Sequence, residues 1–302
     1  MLLLTGASGY IGMRVGERLA SRSRRLRCLV LPDDPVDPAN RFPTQVVRGD
    51  LTVPDSFAAC GEGVNAIVHA AAAMPPASAA RIRAVNVEGT ANLVAFAKRW
   101  RIRRFVYFSA SPPTAAADDA YAASKVEAER LVAESGLDYT ILRLALVYGP
   151  GGARPFRSLV SRLHRIPLVY PMAGAGRTRL RPVYIGDVVG AVELVLSTAA
   201  ATRKTYDVSG ATTVAMRDLV DRIAAAEGLH RLRVHLPMAL CRVTSRALSR
   251  LLPASVYTPD ALLGLAEDAD LDHTRFQEEC GYAPITLEQG FARVFGGGEA
   301  VR

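Results

Sequence analysis

The sequence predicts an α/β protein: a doubly wound parallel sheet joined to a smaller, mostly helical C-terminal lobe. Three observations carry this. Short apolar runs alternate with helical patterns through the first half of the 302 residues. A loop with a glycine at every third position, Gly6, Gly9 and Gly12, follows the first apolar run directly. After Gly149-Pro150-Gly151-Gly152 the alternation loosens into helices broken by Pro and Gly. Half of the residues are hydrophobic, enough to bury a large core.

The first strand is Leu2-Leu3-Leu4, and Thr5-Gly6-Ala7-Ser8-Gly9-Tyr10-Ile11-Gly12 turns it into a helix. Gly6 allows a turn that a Cβ would block, Gly9 lets a ligand approach the backbone, and Gly12 lets the helix sit closely on the sheet. From Tyr10 on, Ile11, Val15 and Leu19 form one helical stripe, with Gly12 and Gly16 beside it. The N-terminus of that helix faces the loop. Its free amides and positive dipole end make a seat for a pyrophosphate, so Gly6, Ser8, Gly9, Tyr10, Ile11 and Gly12 are candidate cofactor-binding residues.

Strand-like runs follow at 26–31, 45–47, 65–70, 105–108 and 140–147, with helical patterns at 10–22, 85–99 and 119–135. Ala71 to Ala80, rich in Ala and Pro, reads as a loop beside the cleft. A dinucleotide-binding domain is expected over 1–150 and a substrate lobe mainly over 151–302, with 182–208 returning to the first domain. No internal repeat is present.

Composition excludes several classes. Cys28, Cys60, Cys241 and Cys280 are scattered without a CxxC pair, and the five histidines lack metal-ligand spacing, so neither a disulfide framework nor a metal is expected. Net charge is +8, but the arginines are spread along the chain without interleaved aromatics, so nucleic-acid binding is not expected. Arg179 and Arg181, in a second-half loop, could meet a substrate phosphate. The stretch from Leu236 to Tyr257 has a basic amphipathic pattern, read as a lobe helix rather than as a membrane contact. No apolar run is long enough to span a bilayer, and the first strand leaves no room for a signal peptide; a cytoplasmic location is expected.

A second constellation concerns proton transfer. Tyr121 and Lys125 lie four apart on a helix that Asp118 or Asp119 would cap, so both side chains share one face. A phenol is a poor acid or base at neutral pH, and a neighbouring ammonium would favour the phenolate. Tyr121 is therefore a candidate acid/base for a carbinol or carbonyl, with Lys125 tuning it. Lys98, Lys125 and Lys204 are the only lysines against 34 arginines.

With these residues in hand, the chain resembles the short-chain dehydrogenase/reductase superfamily, in its extended and atypical branches of NAD(P)-dependent epimerases, dehydratases and ketoreductases. Besides the glycine loop and Tyr121-Ala122-Ala123-Ser124-Lys125, the matching stretches include Gly49-Asp50-Leu51, Val68-His69-Ala70-Ala71, Asn86-Val87-Glu88-Gly89-Thr90, Val147-Tyr148-Gly149-Pro150-Gly151 and Gly281-Tyr282-Ala283-Pro284. The resemblance implies a Rossmann-like fold, Asp50 and Leu51 at the adenine, Ala70 and Ala71 along the cofactor, Lys125 on the nicotinamide ribose and Asn86 supporting the active-site helix. It also implies a small-molecule substrate, often a nucleotide sugar, and often a homodimer.

Two departures stand out. Where the superfamily carries a catalytic hydroxyl at the end of the fifth strand, this chain reads Phe108-Ser109-Ala110-Ser111, which puts Ala110 at that position. Tyr121 then follows Ser111 by ten positions, a shortened loop. Ser109 or Ser111 could still donate to a substrate carbonyl, and Ser111 is favoured. Leu31 occupies the place that selects NAD or NADP; Asp33 and Asp34 would repel a 2′-phosphate, whereas Arg14 or Arg41 would attract it. The cofactor is read as NAD(P), leaning to NADP. The expected function is an NAD(P)-dependent oxidoreductase, or an epimerase/dehydratase, acting on a carbonyl or carbinol carbon. The alternative is an NAD(P)-binding assembly or sensor protein with a vestigial site.

Overall fold

A computed structural model of the chain describes residues 1–110, 119–165, 168–230, 232–237 and 270–296. The chain opens with strand β1 (Leu2–Thr5), helix α1 (Tyr10–Ser21), and strands β2 (Leu26–Val30), β3 (Gln45–Arg48) and β4 (Ala66–His69). Next come α2 (Ala79–Arg83), a π turn over Ala84–Glu88, α3 (Gly89–Arg99), β5 (Arg104–Ala110), α4 (Ala120–Ala133) and β6 (Asp138–Leu144). These match the expected elements to within a few residues. The predicted helix over 85–99 is divided by the π turn, which places Asn86 inward.

The second half holds β7 (Val147–Tyr148), α5 (Arg154–Arg165), β8 (Val169–Ala173), β9 (Arg179–Leu180), β10 (Val183–Tyr184), α6 (Ile185–Ser197) and β11 (Lys204–Val208). Beyond these lie β12 (Val214–Ala215), α7 (Met216–Ala226), β13 (Leu232–Leu236), α8 (Thr274–Cys280) and α9 (Leu287–Phe295).

Seven strands form one parallel sheet in the order β3-β2-β1-β4-β5-β6-β11. Strand order reverses between β1 and β4, and such a switch point opens a crevice beyond the carboxyl ends of the strands. The fold is therefore the Rossmann-like α/β class expected. Both faces are covered, which is why the strands read as continuous apolar runs rather than alternating ones. One face packs Leu4, Val68 and Val106 against Val15 and Leu19 of α1 and Val188 and Val192 of α6. The other packs Leu3, Ile67, Phe105 and Tyr107 against Leu93 of α3 and Ala128 and Val132 of α4.

A third cluster lies in the second half, where Phe156 and Leu163 of α5 meet Leu219 and Ile223 of α7 and Phe291 of α9. Tyr148 joins it, its ring 5.6 Å from Phe291. The C-terminal stretch is shared between the two bodies. Phe276 of α8 stacks between Tyr206 of β11 at 4.6 Å and Tyr282 at 4.7 Å, within the core of the large sheet. Cys28, Cys60 and Cys280 are free thiols. Among the described residues no His/Cys/Asp/Glu group has metal-binding geometry, and no helix is long and apolar enough to cross a membrane.

Candidate active site

The glycine loop closes over the switch point. Gly6 takes φ +70°, and a Cβ there would lie 2.6 Å from the amide nitrogen of Ala71, so loop and β4 end touch backbone to backbone. Gly9 differs: its backbone is extended, and a Cβ would meet only the Gly6 carbonyl oxygen at 3.3 Å. The backbone conformation does not require a glycine there; the missing side chain relieves that contact and leaves the loop backbone open to close approach by a ligand. α1 begins at Tyr10 with no side-chain cap and no acidic residue in its first turn, leaving free amides and the positive dipole end for an anion. These features fit a dinucleotide pyrophosphate.

A cleft of about 420 Å³ runs along the loop, lined by Gly6, Ser8, Gly9, Leu31, Asp50, Leu51, Ala70 and Ala71. Tyr10, Ile11 and Gly12 stand behind it as the first turn of α1 rather than in its wall. Sequence reasoning missed several further lining residues, among them Met74, Val85 and Arg81. Arg81 pairs with Asp50 at 3.2 Å across the cleft. No local pattern singles it out, because the pairing depends on how the loop after β4 folds back. The arginines proposed to attract a 2′-phosphate are occupied: Arg14 pairs with Glu17 at 3.1 Å and Arg41 with the same carboxylate at 2.8 Å. Arg48 bonds the Leu31 and Asp34 carbonyl oxygens, and Asp34 lines the cleft. The leaning to NADP loses its support.

Beneath the loop runs a buried polar chain. The Ala71 N–H donates to Thr5 Oγ1 at 3.3 Å, and Thr5 Oγ1 lies 2.7 Å from His69 Nδ1. His69 Nε2 lies 3.0 Å from Thr90 Oγ1, whose own hydrogen goes to the Asn86 carbonyl at 2.6 Å. With the threonine hydrogen committed, Nε2 is the donor and Nδ1 the acceptor, so His69 is the neutral Nε2–H tautomer. Burial, reinforced by the Lys125 charge, pushes its pKa down to about 3.

Asp119 caps α4, its carboxylate accepting from the amides of Tyr121 and Ala122 at 2.9 and 3.1 Å. Asp118 lies outside the described residues. The cap sets the phase that puts Tyr121 and Lys125 on one face, one turn apart. Asn86 ties this helix to the cleft. It holds both backbone groups of Ala73, at 2.7 and 3.0 Å, and donates to Ser124 Oγ at 2.9 Å. Lys125 is buried, with Nζ donating to the Phe108 carbonyl at 2.6 Å and lying 4.2 Å from the centre of the Tyr107 ring.

The electrostatics reverse the sequence-based expectation for this pair. Burial lowers the Lys125 pKa to about 7, partly offset by Glu129. Burial, then the Asp119 charge, raises that of Tyr121 to about 12. The ammonium is directed at a strand carbonyl rather than at the phenol, so Tyr121 is held as a protonated phenol.

The Ser109 side chain, buried at the end of β5, faces the α4 side of the sheet by strand alternation with Phe108, and its hydroxyl meets no partner among the described residues. Ala110, on the opposite side, has no hydroxyl to offer. Ser111 lies outside the described residues, as do Cys241 and most of the amphipathic stretch after Leu236. Arg179 and Arg181 are not free for a phosphate: Asp270 holds them at 3.0 and 2.8 Å.

A glycine-loop cleft at the switch point, with a tyrosine and a lysine one turn apart beside it, defines a nicotinamide-dinucleotide-binding protein. The model of the NAD dependent epimerase/dehydratase family matches residues 2–209, and the chain belongs to that family. This agrees with the resemblance read from the motifs. A 3 beta-hydroxysteroid dehydrogenase/Delta 5→4-isomerase of Mycobacterium tuberculosis is 26% identical, over 95% of this chain and 87% of its own. A 2-alkyl-3-oxoalkanoate reductase of Stenotrophomonas maltophilia is also 26% identical, over 97% of this chain and 98% of its own. Among solved structures, a dTDP-glucose 4,6-dehydratase from Streptomyces venezuelae with NAD bound superposes with a TM-score of 0.76, at 22% identity, covering 98% of this chain and 96% of that one.

Proposed function

We propose that this chain is an NAD(P)-dependent oxidoreductase that interconverts a carbonyl and a carbinol, with Tyr121 exchanging the proton at the substrate oxygen. The observation that carries this reading is the coupling of the Tyr121–Lys125 helix to the cleft through Asn86, which bonds Ala73 on one side and Ser124 on the other. That bridge fixes the proton-transfer residues relative to the cofactor groove. A nicotinamide there would supply or accept the hydride.

The chain's own groups do the rest. Gly6, Ser8 and Gly9, with the α1 N-terminus, would seat the pyrophosphate, Asp50 and Leu51 the adenine end, and Ala70 and Ala71 the wall between them. Tyr121, protonated at neutral pH, is poised to donate to a carbonyl oxygen in the reducing direction. Lys125 reaches from the same helix face and would hold the ribose hydroxyls. Ser109, with its unpaired hydroxyl, is the described candidate for the second donor to the carbonyl; Ser111 remains the other candidate.

Two choices within this reading follow from the charges. Asp34 in the cleft wall and the engaged Arg14, Arg41 and Arg48 favour NAD over NADP. Arg179 and Arg181, held by Asp270, withdraw the support once offered for a phosphate-bearing substrate, so an uncharged ketone or secondary alcohol is preferred to a nucleotide sugar. A ketone panel assayed with NADH tests this: turnover abolished by Tyr121→Phe with cofactor binding intact supports it. A vestigial site is favoured by Ala110 and the shortened loop before Tyr121, and cofactor binding without turnover of any carbonyl would establish it.

A further inference from the structure

Lys125 is a buried amine whose protonated form has few compensating neighbours. Its Nζ has the Phe108 carbonyl and the Tyr107 ring from β5. From β4 it faces His69, which is neutral and offers no negative charge. From its own helix, Asp119 is committed to the α4 cap and Tyr121 is a neutral phenol. The buried anion on α4 is Glu129, one turn beyond Lys125, while Glu127 on the same helix is paired with Arg83.

Glu129 is itself held. Arg143 of β6 grips its carboxylate with Nε at 3.1 Å from both oxygens and Nη2 at 2.7 Å from one. Arg143 is fixed in turn by the sheet, where Ser109 of β5 and Asp207 of β11 are its partners in register on either side. A row of polar residues thus crosses three strands beneath α4, and the glutamate it grips stands one helical turn from the lysine. A guanidinium gripping bidentately fixes the carboxylate's position in a way that an isolated glutamate could not.

We propose that Glu129, clamped by Arg143, is the positioning residue that keeps Lys125 a cation in its buried seat. This rests on the reading of Lys125 as a cofactor-site residue. Glu129 touches neither substrate nor cofactor. It acts through Lys125: removing the carboxylate strips a negative charge one turn away and leaves Arg143 with Asp207 as its anionic neighbour, and both effects disfavour the ammonium.

The lysine content makes the test direct. With lysines at only 98, 125 and 204, lysine side chains labelled with carbon-13 and nitrogen-15 give three signals, which Lys98→Arg and Lys204→Arg assign. Titrated by NMR in the full chain without cofactor, Lys125 is expected to ionise below the other two. Glu129→Gln should lower its midpoint by about one pH unit or more, whereas Arg143→Gln, which removes a nearby cation, should raise it. Opposite signs mark an electrostatic role. An unchanged midpoint in Glu129→Gln, or the same downward shift in both variants, overturns the proposal. Should Glu129→Gln fail to fold with its arginine unpaired, the double variant removes that buried cation; a lowered midpoint there supports the proposal and an unchanged one overturns it. NADH titration of the wild type is the separate arm. Absence of cofactor binding would refute the oxidoreductase reading without touching the lysine result, and a Lys125 shift that carries the pH range of NADH binding down with it joins the two.

Discussion

Tyr121 and His69 show how burial decides charge at single residues. If Tyr121 moves the substrate proton, Tyr121→Phe should cut turnover by about 10² to 10⁴-fold, the usual worth of a positioned acid/base, and leave the dissociation constant for cofactor unchanged. His69 gives a pH signature instead. Its folded pKa is about 3, against 6.5 for an ordinary imidazole, so between these values the unfolded chain binds the extra proton. Stability from His69 is therefore complete above about pH 6.5 and is lost as the pH falls toward 3. Thermal melts at pH 7 and pH 4.5 should show this loss, and His69→Gln should flatten it. The same variant costs about 1–3 kcal/mol at pH 7, because Thr5 and Thr90 lose their buried partner. A variant with an equally steep acid decline would assign the effect elsewhere.

At the scale of elements, the loop between β1 and α1 separates two uses of glycine. Gly6→Ala forces a Cβ to within 2.6 Å of the Ala71 amide at φ +70° and should lower the melting temperature strongly. Gly9→Ala sets a Cβ 3.3 Å from one backbone carbonyl oxygen in an extended backbone, a tight but milder contact, so it should cost less stability than Gly6→Ala yet weaken NADH binding measured by fluorescence. Equal loss of stability in both would deny the loop a ligand role. The loop, the strands and the α4 pair were legible in sequence because each is a local pattern: apolar runs, fixed glycine spacing, and a capped helix with residues four apart. The state of the pair was not. Whether a lysine lowers a neighbouring phenol's pKa depends on where its Nζ goes, and the Phe108 carbonyl and the desolvation around it belong to packing between distant segments. Arg81 and the Glu129–Arg143 clamp were illegible for the same reason.

For the whole molecule, a boundary near residue 150 and a return over 182–208 are expectations from the sequence, whereas no pattern signals the division of the last described stretch, in which α8 stacks on β11 while α9 joins the second-half core. That division rests on aromatic contacts between residues about 70 positions apart, Tyr206 with Phe276, which no periodicity reveals. Ligand binding reads out the whole assembly at once. A cofactor that binds only the folded chain stabilises it by about 2.7 kcal/mol at 100 times its dissociation constant, which for a protein of this size raises the melting temperature by several degrees. Compared at equal concentration, NADH should give the larger rise, because a 2′-phosphate beyond Leu31 would meet Asp34 and find Arg14, Arg41 and Arg48 already engaged. An equal or larger rise with NADPH would mean that one of these ion pairs opens to receive the phosphate. Arg41→Ala would then identify it: loss of the NADPH rise with the NADH rise intact would place the 2′-phosphate at that residue.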